Sequence, residues 1–250
     1  MNLVSNRMKY YNIIIILLIV IQSCNTTTLS KEELKNISNI QSEILIEDGT
    51  KRNSLNKINV VLSNGDKRIS NDNIQVQLNG KPLKLYISTG NYYDKYPVYT
   101  TANLERSESY YFEIILPDST KYPLAFIKPN KIKSEFNFPK NMYLDKDFVL
   151  NWKNNNMAAD VEIWKGVHKK DNPNEHSRGR FAASTIHHSI KTESGSFKIP
   201  KIFYEDSSTI ADYLEVRISN LQNGLINPEL QANSKISYNY LLEKVIEFEK

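Results

Sequence analysis

The chain has almost no cysteine: its 250 residues include one, Cys24, so no disulfide can form within it, and its cores must be large and well packed to hold. A long apolar run is missing too. The nine residues from Ile13 to Ile21 would rise about 14 Å as a helix, against the ~30 Å of hydrocarbon that a permanent span must cross. Charge of one sign is also lacking. Its 32 Lys and Arg face 28 Asp and Glu, a net +4 with scattered lysines, which excludes the footprint of a nucleic-acid binder. Alanine is sparse and no long 3.6-residue period is sustained, which points away from helices. There is no Gly-x-Ser-x-Gly elbow, His-Glu-x-x-His pair, Cys-x-x-Cys or Gly-rich phosphate loop, and no cofactor is expected. A glycosidase-type pair of carboxylates would escape such a search, because it is defined by separation in space.

What the chain does have begins at its amino end. Arg7 and Lys9 precede the apolar run, which closes on Ile21-Gln22-Ser23-Cys24. A basic head, a short apolar stretch and small residues at a cut site are what the export machinery reads. A thiol can also be alkylated by a diacylglyceryl donor where a hydroxyl cannot. These 24 residues resemble a bacterial lipoprotein precursor, although Gln22 and Ile21 depart from the commoner residues at those places. The resemblance implies that residues 1–23 are removed and that Cys24 becomes an acylated first residue holding the chain to a membrane. Asn25, rather than Asp, after the cysteine implies the outer membrane of a two-membrane cell, with the protein facing the periplasm or the surface. The alternative is an ordinary secretory signal that ends near a cysteine. Removing residues 1–23 takes Arg7 and Lys9 with it and lowers the net charge from +4 to +2.

In the mature part, Ser30-Lys31-Glu32-Glu33 has the form of a capping box, followed by Leu34, Ile37 and Ile40, so residues 24–40 read as a tether with a short helix. From Gln41 the period becomes two. Ile58–Leu62, Ile74–Leu78, Leu83–Ile87, Tyr110–Leu116 and Tyr122–Ile127 alternate like strands, with Asn64-Gly65-Asp66, Asn79-Gly80 and Pro117-Asp118-Ser119 as turns. Asn79-Gly80 predicts a hairpin between its flanking strands, and in Tyr110–Leu116 the core face should carry Tyr110, Phe112, Ile114 and Leu116. Lys128-Pro129-Asn130-Lys131 reads as a short boundary that restricts hinge motion. Beyond it, Phe136–Phe138, Phe148–Trp152, Val161–Trp164, Ser196–Ile199 and Tyr213–Ile218 repeat the style, and Leu241–Phe248 fits a helix or a strand. The pattern predicts an all-β protein of two tandem antiparallel β-sandwiches, at residues 41–128 and 132–250. Their layout resembles immunoglobulin-like or fibronectin type III-like modules.

Three groups of residues could carry function. All four histidines, His168, His176, His187 and His188, lie between Trp164 and Ser196 with Asp171 and Glu175 among them; such a set could hold Zn²⁺ in an anchored metal-dependent hydrolase. The plainer reading is a solvated polar loop, since two histidines are neighbours that point apart on a strand. Trp164 shares a face with Glu162 opposite Val161 and Ile163, so an inward aliphatic pair leaves the indole outward, able to stack on a sugar or anchor a protein; the plainer reading is an edge tryptophan covered by the loop that follows. Trp152, in phase with Phe148 and Leu150, belongs to core. Tyr92, Tyr93 and Tyr96 make similar contact surface, or fill a sandwich edge. The favoured reading is a non-enzymatic, membrane-anchored module that binds a protein or glycan or serves as a structural part of the envelope. Mass spectrometry of the mature amino terminus should find a diacylated or triacylated Cys24, and Cys24→Ser should leave the precursor uncleaved or release it from membranes.

Overall fold

The structure is a computed structural model that describes residues 33–49, 56–89, 95–101, 105–169, 185–204 and 209–249. Alternating apolar and polar residues decide its elements. β1 (Gln41–Gly49) and β2 (Lys57–Asn64) bury Ile44 and Ile46, and Ile58, Val60 and Leu62, on one face. β3 (Lys67–Arg68) follows a turn at Gly65, whose φ of 56° suits glycine. β4 (Gln75–Leu78) and β5 (Lys81–Pro82) flank Asn79-Gly80, with φ of 47° and 77°, the two positive values a type I′ hairpin needs. β6 (Lys84–Thr89), β7 (Lys95–Thr101), β8 (Tyr110–Ile115) and β9 (Lys121–Ile127) complete the first half. In β8 the expected face is the buried one: Tyr110, Phe112 and Ile114, with Leu116 just beyond. The second half holds β10 (Glu135–Asn137), β11 (Phe148–Lys153), β12 (Ala159–Lys169), β13 (Ile186–Ile190), β14 (Gly195–Ile199), β15 (Thr209–Asn223), β16 (Leu225–Ile226) and β17 (Lys235–Glu247).

The described residues are all-β, with no α-helix and almost entirely antiparallel pairing. One sheet runs β13-β12-β15-β17-β1-β2-β7-β6, with β3 beside β2; a second runs β16-β9-β8-β4-β5, and a third β10-β11-β14. Two cores form. The first packs β1, β2 and β7 against β4, β8 and β9; the second packs β11 and β14 against β12, β15 and the end of β17, with Trp152 buried as its phase predicts.

Several local expectations change in three dimensions. The tail is a strand to Glu247, because β15 offers it a hydrogen-bonding edge as far as Tyr213, with β1 on the other side up to Leu241. The β1–β17 pair is parallel, unlike the antiparallel plan, which a long connection between the two strands permits. Of the segment expected to close the Asn79-Gly80 hairpin, only Lys81–Pro82 and the Leu83 N–H stay with β4; the chain then crosses to the other sheet as β6, where β7 offers it a partner from Lys84 to Thr89. In place of a short helix, 3-10 turns at Glu33–Lys35 and Ile37–Asn39 bury Leu34, Ile37 and Ile40 in the first core, so the chain from residue 33 is packed structure and not tether. Ser30 lies outside the described residues.

Core membership does not follow chain order. Ile226, Leu230, Ile236, Tyr238 and Tyr240, all beyond residue 132, pack with the first core, while Leu242 and Ile246 on the same strand β17 pack with the second. β15 and β17 form a ladder from Tyr213↔Glu247 to Asn223↔Ser237, and at about 3.3 Å per residue the 15 residues of β15 reach roughly 50 Å, enough to pass from one core to the next. At the far end, a Cβ on Gly224 would lie 2.5 Å from the Phe126 carbonyl oxygen, so only glycine lets the ribbon approach β9 this closely. The linker is tied to the same ribbon, its Asn130 N–H donating to Gln222 Oε1 at 2.8 Å. Moving one core against the other would shear this ladder. Ile236→Ala should therefore cost about 2–5 kcal/mol in a guanidinium titration and lower the stability of both cores in one shared transition. Two separate transitions, with only the first displaced, would show that the ribbon does not couple them.

Candidate functional site

In β1 a carboxylate stands where the alternation calls for an aliphatic side chain: Asp48 shares its face with Ile44 and Ile46 and is 5 % exposed. A buried charge without partners costs several kcal/mol, so its position demands donors. Arg106, ahead of β8, supplies two, with Nε and Nη2 at 2.8 and 2.7 Å from Oδ1. The Tyr238 hydroxyl of β17 donates to Oδ2. Tyr110 lies alongside, its ring centroid 6.2 Å from that of Tyr238, and its hydroxyl accepts from the Ser107 N–H at 3.2 Å. Three remote segments are thus joined at one carboxylate.

Beside this cluster a cleft of about 920 Å³ opens where the linker leaves the first core. It is wider than the depressions around Met142 (about 460 Å³), Asn155 (about 690 Å³) and Phe248 (about 740 Å³). Arg106, Tyr240, Lys128 and Asn130 line it, with Asp48, Tyr110 and Tyr238 buried behind them. The Arg106 side chain is 58 % exposed, so the guanidinium holds Asp48 with one edge and keeps another toward solvent. Burial raises the Tyr238 phenol far above its ordinary range, and the hydrogen bond to Asp48 adds to this. Burial likewise raises Tyr240, against the opposing pull of Arg106, and Tyr110. At neutral pH these phenols are protonated. The wall therefore offers hydrogen-bond donors, acceptors and ring surface.

The sequence candidates fall elsewhere. Val161 and Ile163 are buried and Trp164 is half-buried on the opposite face, as the alternation predicts. Arg217 caps its ring, with Cζ 4.8 Å from the ring centre, and bonds Glu243 Oε1 through Nε and Nη2 at 2.9 and 2.7 Å. Tyr96 is half-buried beneath Arg68, whose Cζ lies 4.8 Å from the ring centre; Tyr92 and Tyr93 lie outside the described residues. His187 and His188 do point apart on β13. His187 is exposed with Nδ1 3.7 Å from Glu162, while His188 stacks on Phe197 at 4.1 Å. His176, Asp171, Glu175 and Cys24 lie outside the described residues, as does the side chain of His168. Among the described residues no three metal-ligating side chains gather. Nor is any described helix long and apolar enough to cross a membrane.

Sequence reasoning passed over Asp48, Arg106, Tyr238 and Tyr240. One signal was present, an acidic residue in phase with the inward Ile44 and Ile46. Nothing local could name partners 58 and 190 residues away.

No family model and no curated protein matches the chain. Among solved structures it is similar to a Bacteroides ovatus mixed-linkage glucan utilization locus protein, SGBP-B, in complex with a mixed-linkage heptasaccharide: 12 % identity, TM-score 0.24, covering 79 % of this chain and 43 % of that one. It is also similar to the Yersinia pseudotuberculosis adhesin InvE: 7 % identity, TM-score 0.21, covering 85 % of this chain and 61 % of that one. The chain thus spans less than two thirds of each, and neither superposes closely enough to carry an argument about its ligand.

Tyr99, buried beside Asp72, joins Tyr110, Tyr238 and Tyr240 in holding its proton above the ordinary value. A phenol that ionises near pH 10 when unfolded but later when folded stabilises the protein below that pH and loses its contribution as pH rises through the folded value. Stability should accordingly fall above about pH 10, and ultraviolet titration of the phenolates should show a group of tyrosines that ionise only on unfolding. Smooth titration of every tyrosine near pH 10 in the folded protein would contradict the burial of this cluster.

Proposed function

We propose that the protein is a lipid-anchored, non-enzymatic binding module of a bacterial cell envelope that holds a protein or glycan ligand in the cleft beside Asp48. The observation that carries this reading is the fixed wall of the cleft. The Arg106 side chain is held by Asp48 over the buried Tyr110 and Tyr238, and the backbones of Asn130 and Tyr240 are held by Gln222 and the ribbon ladder. A ligand meeting groups already in place loses less affinity to side-chain ordering. The anchor rests on Arg7, Lys9, the run Ile13–Ile21 and Cys24. Two or three acyl chains at about 0.8 kcal/mol per buried methylene would make attachment permanent, and Asn25 directs it to the outer membrane.

In this reading the modules at 41–128 and 132–250 are immunoglobulin-like sandwiches that share strands at their seam. Trp164 and Tyr96, each with an arginine over one ring face, and Tyr92 and Tyr93 would supply further contacts to a large ligand. A metal-dependent hydrolase at the histidine segment has less support, because His187 and His188 lie on opposite faces of β13 and one of them is stacked in place. Hydrogen–deuterium exchange of the full chain in non-ionic detergent, with envelope oligosaccharides and then envelope proteins added, tests the proposal. Protection should appear over residues 106–110, 128–134 and 238–240. Protection confined to other segments, or chemical turnover of a bound ligand, would sink it.

A further inference from the structure

The charges around the cleft do not cancel. Asp48 is held by Arg106, and Glu108 pairs with Lys131 at 3.4 Å where both are exposed to solvent. Lys128 is exposed and has no ion-pair partner among the described residues. Arg106 spends Nε and Nη2 on Asp48 Oδ1, which leaves Nη1 without a partner among the described residues on a side chain more than half in solvent. One cleft therefore presents an unclaimed ammonium and the open edge of a guanidinium whose orientation a buried carboxylate fixes. Open guanidinium edges suit anionic oxygens, and charge-assisted bonds are about twice as strong as neutral ones.

The rest of the lining says what must accompany the anion. Ser107 and Asn130, with the half-buried Tyr240, offer groups that both donate and accept together with a ring face, while Ser134, whose hydroxyl donates to Asn155 Oδ1 at 2.7 Å, adds an acceptor; the wholly aliphatic residues of the lining are Pro129 and Ile132. A ligand rich in hydroxyls matches this wall better than one that brings apolar side chains, which would leave those polar groups desolvated and unpaired. Resting on the cleft reading above, the geometry points to an anionic saccharide as its ligand, a sugar carrying a carboxylate or sulfate against Lys128 and Arg106 with its ring against Tyr240.

Calorimetry on the full chain in non-ionic detergent tests this with three ligands of one length: an oligouronate, the same oligosaccharide with its carboxylates reduced to alcohols, and that neutral form bearing sulfate. At low salt the anionic forms should bind about tenfold tighter than the neutral one, and the preference should shrink as salt rises. The tighter of the two anionic arms identifies the source of the charge. Lys128→Gln, an exposed change whose folding is checked by circular dichroism, should erase most of the preference. Equal binding of neutral and anionic forms, or a preference untouched by Lys128→Gln, overturns the inference while leaving the cleft as a binding site. Failure of all three to bind, or equal binding of an acidic peptide, overturns it as well. Protection of the cleft by an envelope protein in the exchange experiment would still uphold the broader reading.

Discussion

The β15–β17 ladder is the constraint on which the rest of the molecule depends. Two cores built mostly from successive stretches of chain would ordinarily be independent, but here each borrows from the same pair of strands. Ile236 and Tyr238 complete one core and Ile246, on the same strand, the other. Backbone hydrogen bonds continue across the seam without interruption from Asn223 to Tyr213. A linker alone would permit bending at residues 128–132; a ladder crossing the same plane resists it, because bending would break a run of backbone hydrogen bonds together. In a chain with no disulfide to offer, this is a covalent and hydrogen-bonded substitute for one.

The candidate site is a consequence of that crossing. Tyr238 and Tyr240 reach the first core only because the ribbon returns to it, and Asp48 is tolerated inside only because Tyr238 and Arg106 meet it there. The arrangement inverts the usual order of sequence and function, in which a conspicuous loop bears the chemistry. The conspicuous features of this chain, its histidine-rich segment and Trp164, resolve where described into packing: His188 against Phe197, and Trp164 beneath Arg217. The functional surface arises instead from residues that are individually ordinary. The proposed binding role draws on this arrangement, two cores tied by one ribbon with a polar cleft beside the linker.

Much of the local structure was legible beforehand because it depends on neighbours in sequence. The inward set Tyr110, Phe112, Ile114 and Leu116, the burial of Trp152 and the Asn79-Gly80 turn all follow from a period of two or from the φ that a turn demands. What could not be read concerned pairing. The strand after Asn79-Gly80 left its neighbour for another sheet, and the tail chose a parallel partner, since edges compete for strands across the whole fold and the winner depends on what else is adjacent. Asp48 could be noticed as an inward acid, but an inward acid has no visible partner until distant segments are placed beside it.

By itself, then, the sequence determined the strand content, which side of most strands would be apolar and the positions of the tight turns, because each of these is set by residues a few places apart. Only the tertiary structure decided that two cores share one ribbon, and that a carboxylate, a guanidinium and three phenols from four segments converge beside a cleft. Those outcomes turn on hydrogen-bonding edges and desolvated charges, which are satisfied by whatever the folded chain brings near and carry no fixed spacing along it.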